Sequence, residues 1–242
     1  MARDLLLRGM FAGLLAAVLA TWFARGLGEP QVDLAIAFEA AHSAIAHAGA
    51  GAGAMPDVEL VSRATQKGIG LLTAVCLYGA AVGGLFALVF TVAYGRVGRI
   101  GPRTLALALA AAAFVAIVLV PALKYPPTPP AVGRHETVGF RTMVYFTMIA
   151  LSLASLVVSV RLGGRWAQRM GGFNAMLAAA AVYAALVFAL FVMLPPVNEV
   201  PADFPAVVLW NFRIAAIVMQ AVLWTAIGLG FGVMAERQLR RA

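Results

Sequence analysis

The chain has 242 residues, of which 63% are hydrophobic and only 12% charged, with a net charge of +8. A mean hydropathy of +0.93 excludes an ordinary soluble domain and reads as an integral membrane protein. The excess of arginine would suggest nucleic acid in a soluble chain, but no basic patch interleaved with aromatics is present, so no nucleic-acid partner is expected.

Six apolar runs of about 20 residues, each enough to cross roughly 30 Å of hydrocarbon as helix, cover residues 5–24, 68–94, 104–123, 142–160, 174–194 and 214–235. The expected fold is therefore an all-α integral membrane protein, a single domain built as a bundle of about six transmembrane helices. Arg3 and Arg8 precede the first span, Arg96, Arg99 and Arg103 fill the second-to-third loop, Arg161, Arg165 and Arg169 the fourth-to-fifth, and Arg237, Arg240 and Arg241 close the chain. The opposite loops hold Glu29, Asp33, Glu39, Asp57, Glu59, Glu136, Glu199 and Asp203. The bias of basic residues puts both termini in the cytoplasm of a multi-pass protein of the plasma (inner) membrane.

The first span has the basic start of a signal peptide, with Val18-Leu19-Ala20 as a poor cleavage site; an apolar run reaching Phe23 favours a retained span. Residues 25–67 form a long outer loop. Within it Val32–Ala48 has helical composition and places Glu39, Ser43 and His47 at i, i+4 and i+8, with His42 at i+3 of Glu39. A Glu-His-His set offers ligands to a divalent cation, although imidazoles five apart share a helix face poorly, and a solvated interfacial helix explains the same pattern. Gly49–Ala54 (GAGAGA) reads as a flexible linker, and Pro56-Asp57 as a helix start with Asp57 as N-cap.

The spans themselves carry packing signals. Gly79 and Gly83, and Gly228 and Gly232, have the four-residue spacing that lets helix backbones approach closely. Cys76, the single cysteine, allows no intramolecular disulfide and reads as a small buried residue. Gln220, a strongly polar side chain deep in the last span, is expected to hydrogen-bond within the bundle.

Two further outer segments follow one plan. Leu123–Tyr145 (LKYPPTPPAVGRHETVGFRTMVY) and Leu194–Arg213 (LPPVNEVPADFPAVVLWNFR) each run from an apolar helix through prolines and a polar loop with acids to a Phe-Arg pair, Phe140-Arg141 and Phe212-Arg213. Proline removes a backbone donor and disfavours helix before it, so these stretches lie outside the hydrocarbon. Each outer hairpin returns on a basic residue, Arg63 or Lys67, then Arg141, then Arg213, which suggests a threefold repeat of two-helix units. Arg63, Arg141 and Arg213 are read as structural rim residues. Arg213, at the membrane boundary just ahead of a span starting at Ile214, should seek a carboxylate, with Asp203 and Glu199 nearest and Glu136 next.

No phosphate-cradling loop, GxSxG, HExxH, CxxC or His/Ser/Asp set is recognisable, so catalysis is not expected.

The stretches Gly28-Glu29-Pro30, Ala35–Glu39 (AIAFE), Glu59–Arg63 (ELVSR), Leu123–Gly133 (LKYPPTPPAVG), Leu194–Pro201 (LPPVNEVP) and Trp210–Arg213 together resemble the CbtA family over essentially the whole chain. The resemblance implies a membrane subunit of a cobalt transporter, working in lipid with a small single-span CbtB-like subunit, and holding no permanent cofactor but passing Co²⁺ as cargo. On that reading the metal-facing side chains are Glu39, His42, His47, His135, Glu136, Glu199 and Asp203, all at the outer rim. A different class of reading is a non-transporting scaffold that docks a larger membrane complex through its Pro-rich loops. A lipid-directed membrane enzyme, for which no catalytic set is visible, comes third.

Overall fold

The computed structural model describes residues 2–50, 61–98 and 100–240; the side chains of residues 46–50 and 135 lie outside the description. Seven helices follow in order: α1 (Ala2–Phe23), α2 (Glu29–Ala50), α3 (Arg63–Ala93), α4 (Pro102–Lys124), α5 (Val138–Met170), α6 (Gly172–Met193) and α7 (Ala206–Leu239). Six helical stretches are long and apolar enough to span a membrane, and the described residues hold no strand. This is an all-α multi-pass membrane bundle. The ends of α1 and α7 meet through Arg8, which donates to Gln238 Oε1 at 2.8 Å, and Arg103 and Arg240 pair with Glu236 beside them. The termini and the positively charged connections therefore share one end, and the Pro-rich segments share the other.

Packing starts from small residues. Gly9 and Gly13 of α1 lie against Gly79 and Gly83 of α3 so closely that a methyl group on any of the four would collide with a backbone carbonyl of the opposite helix. Gly79 and Gly83 thus sit at this close approach, opposite Gly9 and Gly13, which carry the same four-residue spacing. Gly228 and Gly232 of α7 play the corresponding part against Ala110 and Ala106 of α4, with a Cβ on Gly228 reaching 2.8 Å from the Ala110 methyl. On this frame of α1, α3, α4 and α7 sits one core of Ala17, Ala20, Phe86, Phe90, Ile227 and Phe231. Phe86 and Phe90 meet Phe231 edge-on, with ring centroids 5.4 and 5.0 Å apart. Cys76 is half-buried against it.

The α5–α6 pair stands to one side. It is held together by the Ser152 to Tyr183 hydrogen bond of 2.9 Å and by Gly163 against Ala179, and joined to the frame where Val144 and Met148 pack on Val120 and Tyr125. The packing does not follow a repeat of outer hairpins: α4 packs with α7 and α5 with α6, and of the three expected outer hairpins the described residues pair closely only in the first, α1 with α3.

Several boundaries differ from those expected. A π-helical turn at Ala24–Gly28 carries α1 straight into α2, so the first span and the outer helix are one rod from Ala2 to Ala50, roughly 73 Å long at 1.5 Å per residue. Beyond the π-helical turn α2 finds apolar cover on the Pro-rich segments, where Ala35 and Phe38 pack with Val132 and Phe204. The second span opens at Arg63, where the Ser62 hydroxyl caps Thr65 N–H; Asp57 lies outside the described residues, as does most of the Gly/Ala linker. In α4 a π-helical turn at Phe114–Leu119 precedes Pro121, whose missing N–H and bulky ring disfavour a regular ladder at that point. The expected loop holding Arg161, Arg165 and Arg169 is helical: α5 runs on to Met170 and turns directly into α6 at Gly171, whose φ of 81° a side chain would resist. Finally, α7 begins at Ala206 rather than near Ile214, because Phe204 and Leu209 are buried against α2 and so bring the helix start into the folded cap.

The glycine contact makes a sharp prediction. Gly13→Ala or Gly79→Ala forces α1 and α3 apart and should cost about 1–3 kcal/mol, seen as a lower melting temperature in detergent. Gly164→Ala in α5, where an added methyl meets nothing within 4 Å, should leave it unchanged or slightly higher.

Candidate functional site

The Pro-rich end is built from three segments distant in sequence. The two proline motifs interlock: the Tyr125 hydroxyl donates to the Pro195 carbonyl at 2.8 Å, Lys124 Nζ to the Phe191 carbonyl at 2.7 Å, and the Arg134 backbone N–H to Glu199 Oε2 at 2.8 Å. Prolines cannot donate backbone hydrogen bonds, so the segments are held by side chains reaching across to carbonyls instead. Val132, Phe204 and Leu209 then form an apolar patch, on which α2 lays Ala35 and Phe38. The Phe38 and Phe204 rings meet edge-on at 5.0 Å.

Charged side chains close the seams. Arg63, at the start of α3, pairs with Glu29 and, at 3.1 Å, with Asp33 of α2, and Lys67 reaches Asp33 at 3.3 Å. Arg63 thus ties the start of α3 to α2. The Arg141 guanidinium fills the space that a side chain at Gly133 would need and faces Glu199, with Nε 3.5 Å from the carboxylate, while its NH2 donates to the Arg134 carbonyl at 3.3 Å. Arg213 behaves otherwise than expected. Asp203 is taken by His42 and Glu199 by Arg134 and Arg141, so Arg213 has no ion pair among the described residues, and its Nε is buried without a partner.

Beneath this cap lies a cavity of about 700 Å³ between the ends of α4, α5 and α7. Its walls include Lys124, Arg141, Glu199, Arg213 and Gln220, set among apolar side chains. Gln220 lies seven residues beyond Arg213, on the same face of α7 and about 10 Å deeper. It reaches towards the Tyr78 hydroxyl, while its Oε1 is buried without a partner, so the expected hydrogen bonding within the bundle is only half made.

Of the seven side chains read as metal-facing, the structure brings two into contact, His42 Nε2 and Asp203 Oδ2, from positions 161 residues apart. The other ring nitrogen, Nδ1, lies 3.1 Å from the Phe38 carbonyl, which orients the imidazole. Glu39 and Glu136 are exposed. The side chains of His47 and His135 lie outside the description, and among the described residues no group of three His, Cys, Asp or Glu is assembled. Glu199 faces the arginines across the cap. Lys124, which sequence reading passed over, joins the cavity wall; its position directly before Tyr125-Pro126, at the end of a span, was the available signal. His42 lies about 27 Å along the rod beyond Ala24, well clear of the part that fills the hydrocarbon.

The hydrogen bond to Asp203, then the Phe38 carbonyl, raises the His42 pKa, and the same bond with His42 lowers that of Asp203. The Thr137 hydroxyl first, and the Arg134 N–H next, hold Glu199 below the ordinary carboxylate value. A raised imidazole pKa contributes stability that is fully present below the ordinary value of about 6.5 and is lost as pH rises through the folded value; the lowered Asp203 contributes above about 4 and loses it on acidification. Hydrogen exchange of α2, corrected for intrinsic rate, should therefore show protection at pH 6 that declines towards pH 9. His42→Ala should flatten that decline; an unchanged profile would remove the pair from the account.

Comparison with known proteins agrees with the architecture. Neither the curated proteins nor the solved structures yield a match. The model of one family, the probable cobalt transporter subunit CbtA, matches residues 2–236, nearly the whole chain. This multi-pass membrane protein belongs to the CbtA family of probable cobalt transporter subunits.

Proposed function

We propose that the protein is the subunit of a plasma-membrane transporter through which a divalent transition metal, cobalt, enters the bilayer. The family match carries this reading: it spans the whole bundle and both proline motifs. The termini and the basic connections would be cytoplasmic, in keeping with the bias of arginine to that end, and the Pro-rich cap would be external. A small single-span subunit is the expected partner, and the family's description as a subunit supports the need for one.

Capture would begin at His42 and Asp203. An imidazole and a carboxylate are ligand types that Co²⁺ accepts, with water or a partner completing the shell, and selection would rest on geometry rather than raw affinity. Glu39, one turn before His42, is the nearest further carboxylate on α2 by sequence. His47, His135 and Glu136 remain proposed contributors around the same cap. Glu199 is engaged by Arg134 and Arg141, so its contribution would require that contact to open. The role of the chain is transport, with the metal as cargo rather than as a resident cofactor.

Two measurements test this. Uptake of Co²⁺ at limiting concentration should fall in His42→Ala and in Asp203→Asn, the double variant losing little more, because the ligands act as a unit. It should also fall from pH 7.5 to 5.5 in the parent, since a metal must displace the proton that Asp203 helps His42 to keep. Uptake unchanged in the double variant would move capture elsewhere. For orientation, single cysteines at Pro129 and Asn198 in a Cys76→Ala background should react with an impermeant maleimide on whole cells, and a cysteine at Arg165 should not; labelling at Arg165 without lysis would invert the topology.

A further inference from the structure

We propose that the cavity under the Pro-rich cap is a binding site for an anionic phosphate group, supplied either by the headgroup of an anionic phospholipid or by free phosphate. The proposal stands apart from the identity of the metal cargo.

The charge balance of the walls comes first. Lys124, Arg141 and Arg213 face the cavity, and among the described residues Glu199 is its one carboxylate. That carboxylate is committed to the Arg134 N–H and to Arg141, and Asp203, the other acid of the same segment, is committed to His42. Arg213 is left with no counter-ion among the described residues. The bundle could have supplied one within the hairpin and does not.

The donors are also unsatisfied. The Nε atoms of both Arg213 and Arg141 are buried without a hydrogen-bond partner; Arg141 Nε lies 3.5 Å from Glu199, too far for a good hydrogen bond. Buried donors are rarely left in this state, and a guanidinium is a fixed fork of donors suited to phosphate oxygens. Lys124 Nζ spends one of its three donors on the Phe191 carbonyl, leaving others to turn inward.

Place and size point the same way. Arg213 is the eighth residue of α7, about 10 Å from the helix start, at the depth where an apolar bundle meets its cap. The remaining wall is largely apolar, with Val118, Val144 and Phe146 beside the cations. A volume of about 700 Å³ leaves space for more than one small ion. A headgroup on the cations with its chain start against these side chains would use both kinds of surface.

The test uses the full chain, purified and stripped of lipid in a neutral detergent. Melting temperature and binding isotherms would be recorded with dihexanoyl phosphatidylglycerol, with inorganic phosphate, and with dihexanoyl phosphatidylcholine as the control without net charge. Phosphatidylglycerol or phosphate should raise the melting temperature saturably, and phosphatidylcholine should do less. Arg213→Gln should weaken that binding by about tenfold or more, as expected for the loss of charge-assisted hydrogen bonds, with Arg213→Lys in between. Without any anion, Arg213→Gln should melt higher than the parent, because it removes an uncompensated cation; with saturating anion the order should reverse. A response to phosphatidylglycerol alone identifies the lipid headgroup as the source, and a response to phosphate identifies the free ion. No response to either, an equal response to phosphatidylcholine, or an Arg213→Gln variant that binds as the parent does would overturn the proposal.

Discussion

Everything else in the bundle depends on the contact of bare backbones between α1 and α3. Inside a bilayer, lipid tails are as apolar as leucine, so helices gain little by hiding apolar side chains from them; close approach and dispersion decide which pairs form. Gly9 and Gly13 against Gly79 and Gly83 give that approach over two turns. With the two helices so near, Phe86, Phe90 and Phe231 can fill the remaining space as one aromatic wedge, and α4 and α7 close it with their own alanine and glycine surfaces. The α5–α6 pair lacks such a seam to the frame. It touches the frame through Val144 and Met148, and within α6 one residue, Ala175, is fully buried while Tyr183, Val187 and Leu190 are half-covered on its inner face.

The cap obeys a different physics. Proline-rich chain has few backbone donors, so its order comes from side chains of the two motifs that reach for each other's carbonyls, and from a small apolar patch roofed by α2. Electrostatics then sorts the charged residues into pairs, Arg63 with Glu29 and Asp33, His42 with Asp203, Arg141 with Glu199. The sorting leaves positive charge facing the cavity. A divalent cation passing that way would meet repulsion from Arg213 unless an anion lay between, so the cap's electrostatics and the handling of a cation belong to one question.

Much of the architecture was legible in the chain. Spans are fixed by the thickness of the hydrocarbon, so uninterrupted apolar runs found all six, and the third and fifth came within two residues of the observed helices. Gly79 and Gly83 were readable from spacing, and the same rule applied to Gly9 and Gly13 would have named their partners. Helix ends were read less well wherever a helix leaves the membrane, because polarity marks the edge of the bilayer and not the end of the hydrogen-bond ladder. The rod through Ala24–Gly28, the continuation of α5 through Arg161 to Met170, and the early start of α7 at Ala206 are all of this kind. At the cap, the unusual motifs and their acids were visible in the chain, but the pairing was not. Which carboxylate meets which base depends on how α2 folds over the loops, a contact between residues as distant as His42 and Asp203. Proximity along the chain pointed Arg213 to Asp203, and packing gave Asp203 to His42.

The union of α1 and α2 into one rod has a mechanical meaning. Its lower half is clasped by α3, and its upper half, 22 residues and about 33 Å long, rests on the cap through a few rings and ion pairs. Between them is the π-helical turn at Ala24–Gly28, none of whose residues is buried, a place where the helical ladder is already irregular. A stiff arm turns angle into distance: a swing of roughly 10° at that turn moves the far end of α2 by about 6 Å. That is enough to draw His42 out of reach of Asp203 and to lift the roof from the apolar patch. An arm bending there would have its pivot at Ala24–Gly28 and the cover of the cap as its load.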